Sequence, residues 1–360
     1  MDKRLERQKR GNRRPTISQV ALRAGVSPAV VSLVMNGRAQ AGRISTATET
    51  KVRKTAQAMH YQPSMAARQL AGQRSNAIGV LINTGAQADA RLIALMESHA
   101  ATKGLRFIVG HAVGSLAQAR EYLDDFENRG VDGVISIFHN HPDYCKEVLK
   151  RLQRFRHVVY YERPAAEFSA HHATCFIQPD YYEACRLGVS HLVARGRRRI
   201  ALVLKDLIFD YSRAWRQAYS DVLKESGLNE DAKLVWVMDE QPSLSWKDEF
   251  SVELSHDLAQ SLAVERGADA IIANSDFFAA RINVALRHLG VRVPEDVALV
   301  GCDDQPFCTL VAPALTSIDL HIERLAHEAV DMLLVQLGTG AFPHPAENII
   351  TPHLIHRESS

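Results

Sequence analysis

Eight apolar runs recur along the chain with amphipathic stretches between most of them, and this alternation limits the possible folds more than any other feature. The runs are Ala77–Ile82, Arg106–Gly110, Val131–Ile137, His157–Tyr161, Ile200–Leu204, Leu234–Met238, Ala268–Ala273 and Val297–Gly301. Residues 116–129, 180–195, 212–226, 252–266 and 276–289 carry helical periodicity between them. Strands this apolar are buried on both faces, which predicts an α/β fold with parallel sheets covered by helices. About 280 residues are involved, long for one such sheet, so two lobes are expected. Ligands of such folds bind at the carboxyl ends of the strands.

The first 75 residues are different. They hold 15 Lys/Arg against 3 Asp/Glu, a net charge of +12, whereas the rest of the chain carries −10. A polyanion suits the first segment and not the second. Residues 1–14 read as a basic, solvated arm with seven cations, Lys3, Arg4, Arg7, Lys9, Arg10, Arg13 and Arg14. Such an arm can add sequence-independent affinity for a phosphate backbone.

Short helices follow. Ile17, Val20, Ala21 and Ala24 are spaced for one helix, ended by Gly25. Ser27 is placed to cap a second, with Pro28 at its first position and Val31, Val34 and Met35 inward. Ala29, Ser32, Leu33 and Asn36 then share the opposite face. Asn36-Gly37 stops that helix, and a Gly- and Arg-rich loop follows. Thr46 and Glu49 are spaced as a capping box for a third helix, with Val52, Ala56 and Met59 inward. Helix, glycine turn and second helix are spaced as a helix-turn-helix, whose second helix enters a DNA major groove.

The strings TISQVALRAGVSPAVVSLVMNG and HYQPSMAARQLAGQRSNAIGV, at 16–37 and 60–80, resemble the lactose-repressor/galactose-repressor family of bacterial transcription regulators. So do RGRRRIALV, VRVPEDVALVGCDD, PALTSIDLHIERLAHEAVDMLL and LIHRESS further on. The resemblance implies a three-helix DNA-binding domain at 15–62 and a hinge helix at 63–74. It implies a two-lobed, periplasmic-binding-protein-like domain for effector binding and dimerisation at 75–360. The implied partners are a pseudo-palindromic double-stranded DNA operator, a sugar-like small molecule and a second copy of the chain, the twofold matching the palindrome. The chain ends at Ser360, just after the last motif, so the dimer is expected without the extra tetramerising helix of some relatives.

Residue by residue, the family pattern assigns Thr16, Ser18, Ser27 and Ser32 to phosphates. Ser64, Ala67 and Leu70 fall in the hinge, with Leu70 as the minor-groove wedge. The reading positions of the second helix carry Pro28, Ala29 and Leu33 in place of the usual polar or basic residues, with Asn36 on the same face. No cation on that face can contact guanine bidentately, although Ala29 and Leu33 can meet thymine methyls. About three extra residues around Ala39–Arg43 lengthen the following loop. Its Arg38 and Arg43 either take over backbone contacts or sit in a solvated loop.

For the effector, the pattern assigns Asp303 as acceptor of ligand hydroxyls and Phe250 as a stacking ring. Ser275 stands where asparagine is usual. Asp180 either caps a helix or reaches the crevice. Trp215, flanked by Arg213 and Arg216, occupies the usual arginine position and either faces ligand or packs in the helix.

Other classes are disfavoured. A transport binding protein needs a secretory signal, and the basic N-terminus has no apolar run behind it. No apolar stretch reaches the 18 residues of a membrane span. A sugar-modifying enzyme needs a reactive group, and no GxSxG, HExxH, GxxxxGK[ST] or GxGxxG motif occurs. No cofactor and no metal are expected: His139, His141, His171 and His172 lack companion ligands at metal spacing. Five cysteines, Cys145, Cys175, Cys185, Cys302 and Cys308, without CxxC spacing suit a reducing cytoplasm.

Overall fold

The computed structural model describes residues 15–61, 74–82, 87–112, 115–137, 145–163, 175–204, 210–238, 251–339 and 347–360. The chain divides into two compact units, with the boundary after Ser75.

The first unit is three helices, α1 (Ile17–Ala24), α2 (Pro28–Met35) and α3 (Thr46–Ala58). Thr16 caps α1: its hydroxyl accepts from the Gln19 amide, and the Gln19 side chain accepts from the Thr16 amide at 2.9 Å. Gly25 ends α1 at φ 66°, a left-handed conformation that glycine adopts without strain. Ser27 caps α2, and Pro28 opens it. The two axes are bent by 104°, as in a helix-turn-helix. Val20, Ala21, Ala24, Val31, Val34, Val52 and Ala56 form the core, as their spacing predicts. The cap of α3 falls one residue earlier than expected. Ser45, not Thr46, accepts from the amide three residues on, and Glu49 turns to Arg53 rather than back to the cap.

The second unit holds two six-stranded sheets. The first contains β1 (Ala77–Ile82), β2 (Arg106–His111), β3 (Gly133–Ile137), β4 (Val158–Tyr161), β5 (Phe176–Pro179) and β11 (Glu347–Ile350). Its order is β11-β5-β4-β3-β1-β2, all parallel. The second contains β6 (Ile200–Leu204), β7 (Val235–Val237), β8 (Ala270–Ala273), β9 (Ala298–Cys302), β10 (Thr316–Asp319) and β12 (His353–Ile355). Its order is β12-β10-β9-β8-β6-β7. It is parallel apart from the antiparallel β10–β12 pair. All eight expected strands form. Helices α4 (Gln87–Thr102), α5 (Leu116–Arg129), α6 (Cys145–Leu152), α7 (Tyr181–Ala194), α8 (Asp210–Glu225), α9 (Val252–Ala259), α10 (Asp276–His288) and α11 (Ile322–Thr339) connect them.

The strands not anticipated, β5, β10, β11 and β12, are three or four residues long. They matter because the chain changes lobes there. After β5 it enters α7, which packs under the second sheet. After β10 it enters α11, which packs under the first, and after β11 it returns to β12. The three crossings lie together: the Asp180 amide donates to Ile350 O at 2.9 Å, and Asp319 pairs across the strands with His353. No described helix is long and apolar enough to cross a membrane.

Candidate DNA-binding face and ligand crevice

In the first unit, burying Val31 and Val34 turns the rest of α2 outward. Pro28 and Ala29 are exposed, and Ser32, Leu33 and Asn36 are half-buried. Thr16, Ser18 and Ser27 are exposed around the helix ends, although the Thr16 and Ser27 hydroxyls also cap. Asn36 Nδ2 donates to Ser32 Oγ at 3.2 Å, so the two polar side chains of the outer face are already bonded to each other.

The lengthened loop is folded rather than loose. Ala39 is buried in the helical core. The Arg38 amide donates to Leu33 O, Gly42 to Arg38 O and Ile44 to Ala39 O, at 2.8, 3.0 and 2.9 Å. Gly42 lies so close to Leu33 that a Cβ there would stand 2.7 Å from Leu33 Cδ1. Leu33 is therefore partly covered by its own loop. The same fold leaves Arg38 and Arg43 exposed, Arg43 at φ 52°. Ser64, Ala67 and Leu70 lie outside the described residues, as does Phe250.

In the second unit, polar groups gather at the carboxyl ends of the strands. Asp303 and Asp304 follow β9 with φ 102° and 43°, two successive strained residues of the kind that clusters at ligand sites. The pair splits its work. The Asp304 carboxylate accepts from Arg357 Nη2 at 2.6 Å, and its carbonyl accepts from Arg91 Nη1, on α4 of the other lobe, at 3.0 Å. The Asp303 amide donates to Ile318 O at 2.9 Å, which holds its half-buried side chain at the strand end.

Asp276 sits behind this turn and was not visible to sequence reasoning. It is fully buried at the start of α10. Its carboxyl accepts from Ser317 Oγ at 2.7 Å, from the Gln305 amide at 2.8 Å and from Cys308 Sγ at 3.1 Å. Burial raises its pKa to about 7. A Cβ on Gly301 would stand 2.1 Å from Asp276 Oδ1, so only glycine fits beside it.

The Ser275 hydroxyl caps α10. Its neighbour Asn274 is half-buried: Nδ2 lies 3.5 Å from Ser212 Oγ, and the inaccessible Oδ1 has no hydrogen-bond partner among the described residues. Buried orphans of this kind call for a partner. Asp180 caps α7, accepting from the Glu183 amide at 2.9 Å. Next to it, Tyr181 donates to Glu162 Oε1 at 2.9 Å, and its ring lies 5.5 Å from that of Tyr211. Burial holds the Tyr181 phenol well above its ordinary pKa, so it stays a donor. Trp215 is corrected: it is 1% exposed and packs in the core. Its neighbours Arg213 and Arg216 are paired with Asp210 and Glu230. An aromatic at helical spacing is satisfied more simply by the core than by a ligand.

Residues 16–64 match the model of bacterial regulatory proteins of the lacI family, and residues 189–360 match a periplasmic binding protein-like domain. Over 345 residues the chain is 26% identical to the HTH-type transcriptional repressor PurR of Escherichia coli O139:H28 (strain E24377A / ETEC), covering 96% of both. PurR of Klebsiella pneumoniae subsp. pneumoniae is similar at the same identity over 346 residues, again covering 96% of both. Among solved structures, a lac repressor dimer bound to operator and the anti-inducer ONPF matches with a TM-score of 0.79. It is 25% identical, with 96% of this chain and 99% of that one covered. A complex of the transcriptional regulator CelR with cellobiose matches with a TM-score of 0.68 and 25% identity, covering 96% and 100%.

Proposed function

We propose that this chain, which belongs to the lacI family of bacterial regulatory proteins, is a sequence-specific DNA-binding repressor whose operator affinity is set by a small metabolite. It acts as a homodimer in the cytoplasm and is a binding protein, not an enzyme. The observation that carries this reading is the joining of two unlike units in one chain. A +12 helix-turn-helix segment precedes a −10 two-lobed body with polar groups at its strand ends. Only the first can gain from counterion release on DNA.

In this reading Thr16, Ser18, Ser27 and Ser32 meet phosphates, and Pro28, Ala29, Leu33 and Asn36 face base edges. Half-covered Leu33 leaves Ala29 as the better thymine-methyl contact. The half-site is accordingly A·T-rich or weakly specified under Leu33, and Arg38 and Arg43 hold the backbone beside it. Ser64, Ala67 and Leu70 serve the hinge contact.

The effector is a hydroxyl-rich molecule, sugar or sugar derivative, taken up by Asp303, Asn274 and the Glu162–Tyr181 pair. The half-buried Asp303 carboxylate at a strand end and the Glu162 carboxylate, which already accepts a phenol hydroxyl, suit such a ligand. Ligand binding shifts the balance between lobe arrangements about the three crossings, and DNA affinity follows. Selection of duplexes from a random library with the full chain tests the DNA half. A thermal-shift screen of sugars, sugar acids and purines tests the other. Failure to enrich any sequence, or enrichment of a guanine directly under Leu33, would refute the proposed readout.

A further inference from the structure

Two segments distant in sequence, one carrying Asp319 and His321 and the other His353, converge where the chain changes lobes. Asp319 ends β10, His321 immediately precedes α11, and His353 opens β12 opposite Asp319. His321 Nδ1 lies 3.5 Å and His353 Nδ1 3.7 Å from the same oxygen, Asp319 Oδ2. The two rings stack with centroids 4.5 Å apart, and His353 Nδ1 faces His321 Nε2 at 3.0 Å. One donor atom from each of the three residues falls within 4.8 Å of the other two.

The two distances to the carboxylate suit a shared ion better than a direct hydrogen bond. At 3.5 and 3.7 Å neither imidazole is within ordinary hydrogen-bond range of Oδ2. Ligands of a tetrahedral ion with bonds of about 2.0–2.2 Å stand roughly 3.3–3.6 Å apart, close to the two nitrogen-to-Oδ2 distances, whereas the 3.0 Å contact between His353 Nδ1 and His321 Nε2 is a hydrogen bond that the ion would replace. The other carboxylate oxygen, Oδ1, accepts the His321 backbone N–H at 2.7 Å, which orients Oδ2 toward the rings. Such an orienting hydrogen bond is typical of ligating carboxylates. All three side chains are reachable from solvent, the most exposed being His353.

We propose that Asp319, His321 and His353 bind one divalent transition-metal ion of the zinc class, which fastens together two of the three lobe crossings. Two imidazoles and one carboxylate favour zinc, cobalt or nickel over magnesium or calcium, which take oxygen ligands. A turn of the ring of His321 or His353 completes the set, and solvent supplies a fourth ligand. The ion joins the β10–α11 link to the start of β12, so occupancy restricts movement of one lobe against the other. This last consequence rests on the repressor reading. Metal binding itself does not, and it is measured without DNA.

The test uses the full chain, stripped with chelator and titrated with Zn²⁺ by calorimetry, and with Co²⁺ by visible absorption. One Zn²⁺ site per chain and a Co²⁺ d–d band are expected, with a rise in the melting temperature on Zn²⁺ addition. His321→Ala and His353→Ala should each weaken that site at least tenfold and erase the band. His353→Gln, which keeps a neutral polar side chain, serves if the alanine variant does not fold. Unchanged Zn²⁺ binding in the folded His353 variants would overturn the proposal. So would a site lost in His139→Ala/His141→Ala but kept in those variants, or no Co²⁺ band at all.

Discussion

Asp276 is the residue on which the turn at Asp303 and Asp304 depends. It is buried, and its pKa is raised to about 7 from an ordinary carboxylate value. A group whose folded pKa is raised stabilises the fold most when it is protonated. Its contribution is complete below the unfolded pKa near 4 and is lost as pH rises through about 7. Urea unfolding of the wild type and of Asp276→Asn should show this. The stability difference between them shifts against the wild type by an amount on the order of a few kcal/mol between pH 4 and 8. A pH-independent difference would mean that the carboxyl does not titrate in this range. Asp303 is expected to act differently. Asp303→Ala should leave folding and DNA binding near wild type and abolish the thermal shift caused by whichever sugar the screen identifies. Retention of that shift would remove Asp303 from the ligand site. Little of this was legible in the sequence. Asp303 could be placed by its position after an apolar run. Asp276 and Asn274 acquire their meaning only from Ser317, Gln305, Gly301 and Ser212, which come from other segments.

At the level of elements, local signals were read well where one physical rule dominated. Gly25 and Ser27-Pro28 fix the ends of α1 and α2, and their helices are those the spacing predicts. The third helix shows the limit. Ser45 and Thr46 are adjacent hydroxyl residues, and the Thr46–Glu49 spacing favoured the wrong one. The distinction can be measured: Ser45→Ala should cost about 1 kcal/mol in stability and Thr46→Ala much less. Equal losses would contradict the cap seen here. The short crossing strands β5, β10, β11 and β12 escaped because three or four residues, several of them polar, give no periodicity to detect. The loop after α2 is an element whose length was legible and whose fold was not. Buried Ala39 and the contact between Gly42 and Leu33 make it part of the DNA-binding unit. Arg38→Ala and Arg43→Ala should each weaken binding to all duplexes alike and lower the salt slope by about one. A sequence-selective loss would make either arginine a base reader.

At the scale of the molecule, the two sheets share one plan, five parallel strands in equivalent order with an added edge strand, β11 or β12, delivered by the crossings. Apolar alternation sufficed to predict two such lobes, since the parallel strands β1 to β4 and β6 to β9 stand out as apolar runs. How they are linked was not legible, because the links are short and polar, and the histidines found there are separated by tens of residues. A division of labour is proposed between a cationic reading unit and an anionic sensing body. Filter binding of the full chain and of a chain starting at Ala77 to a library-selected duplex, from about 50 to 200 mM salt, tests it most directly. The full chain should bind with affinity falling by orders of magnitude across that range, and the shortened chain should not bind measurably. Comparable binding by the shortened chain, or a full-chain affinity indifferent to salt, would contradict the account.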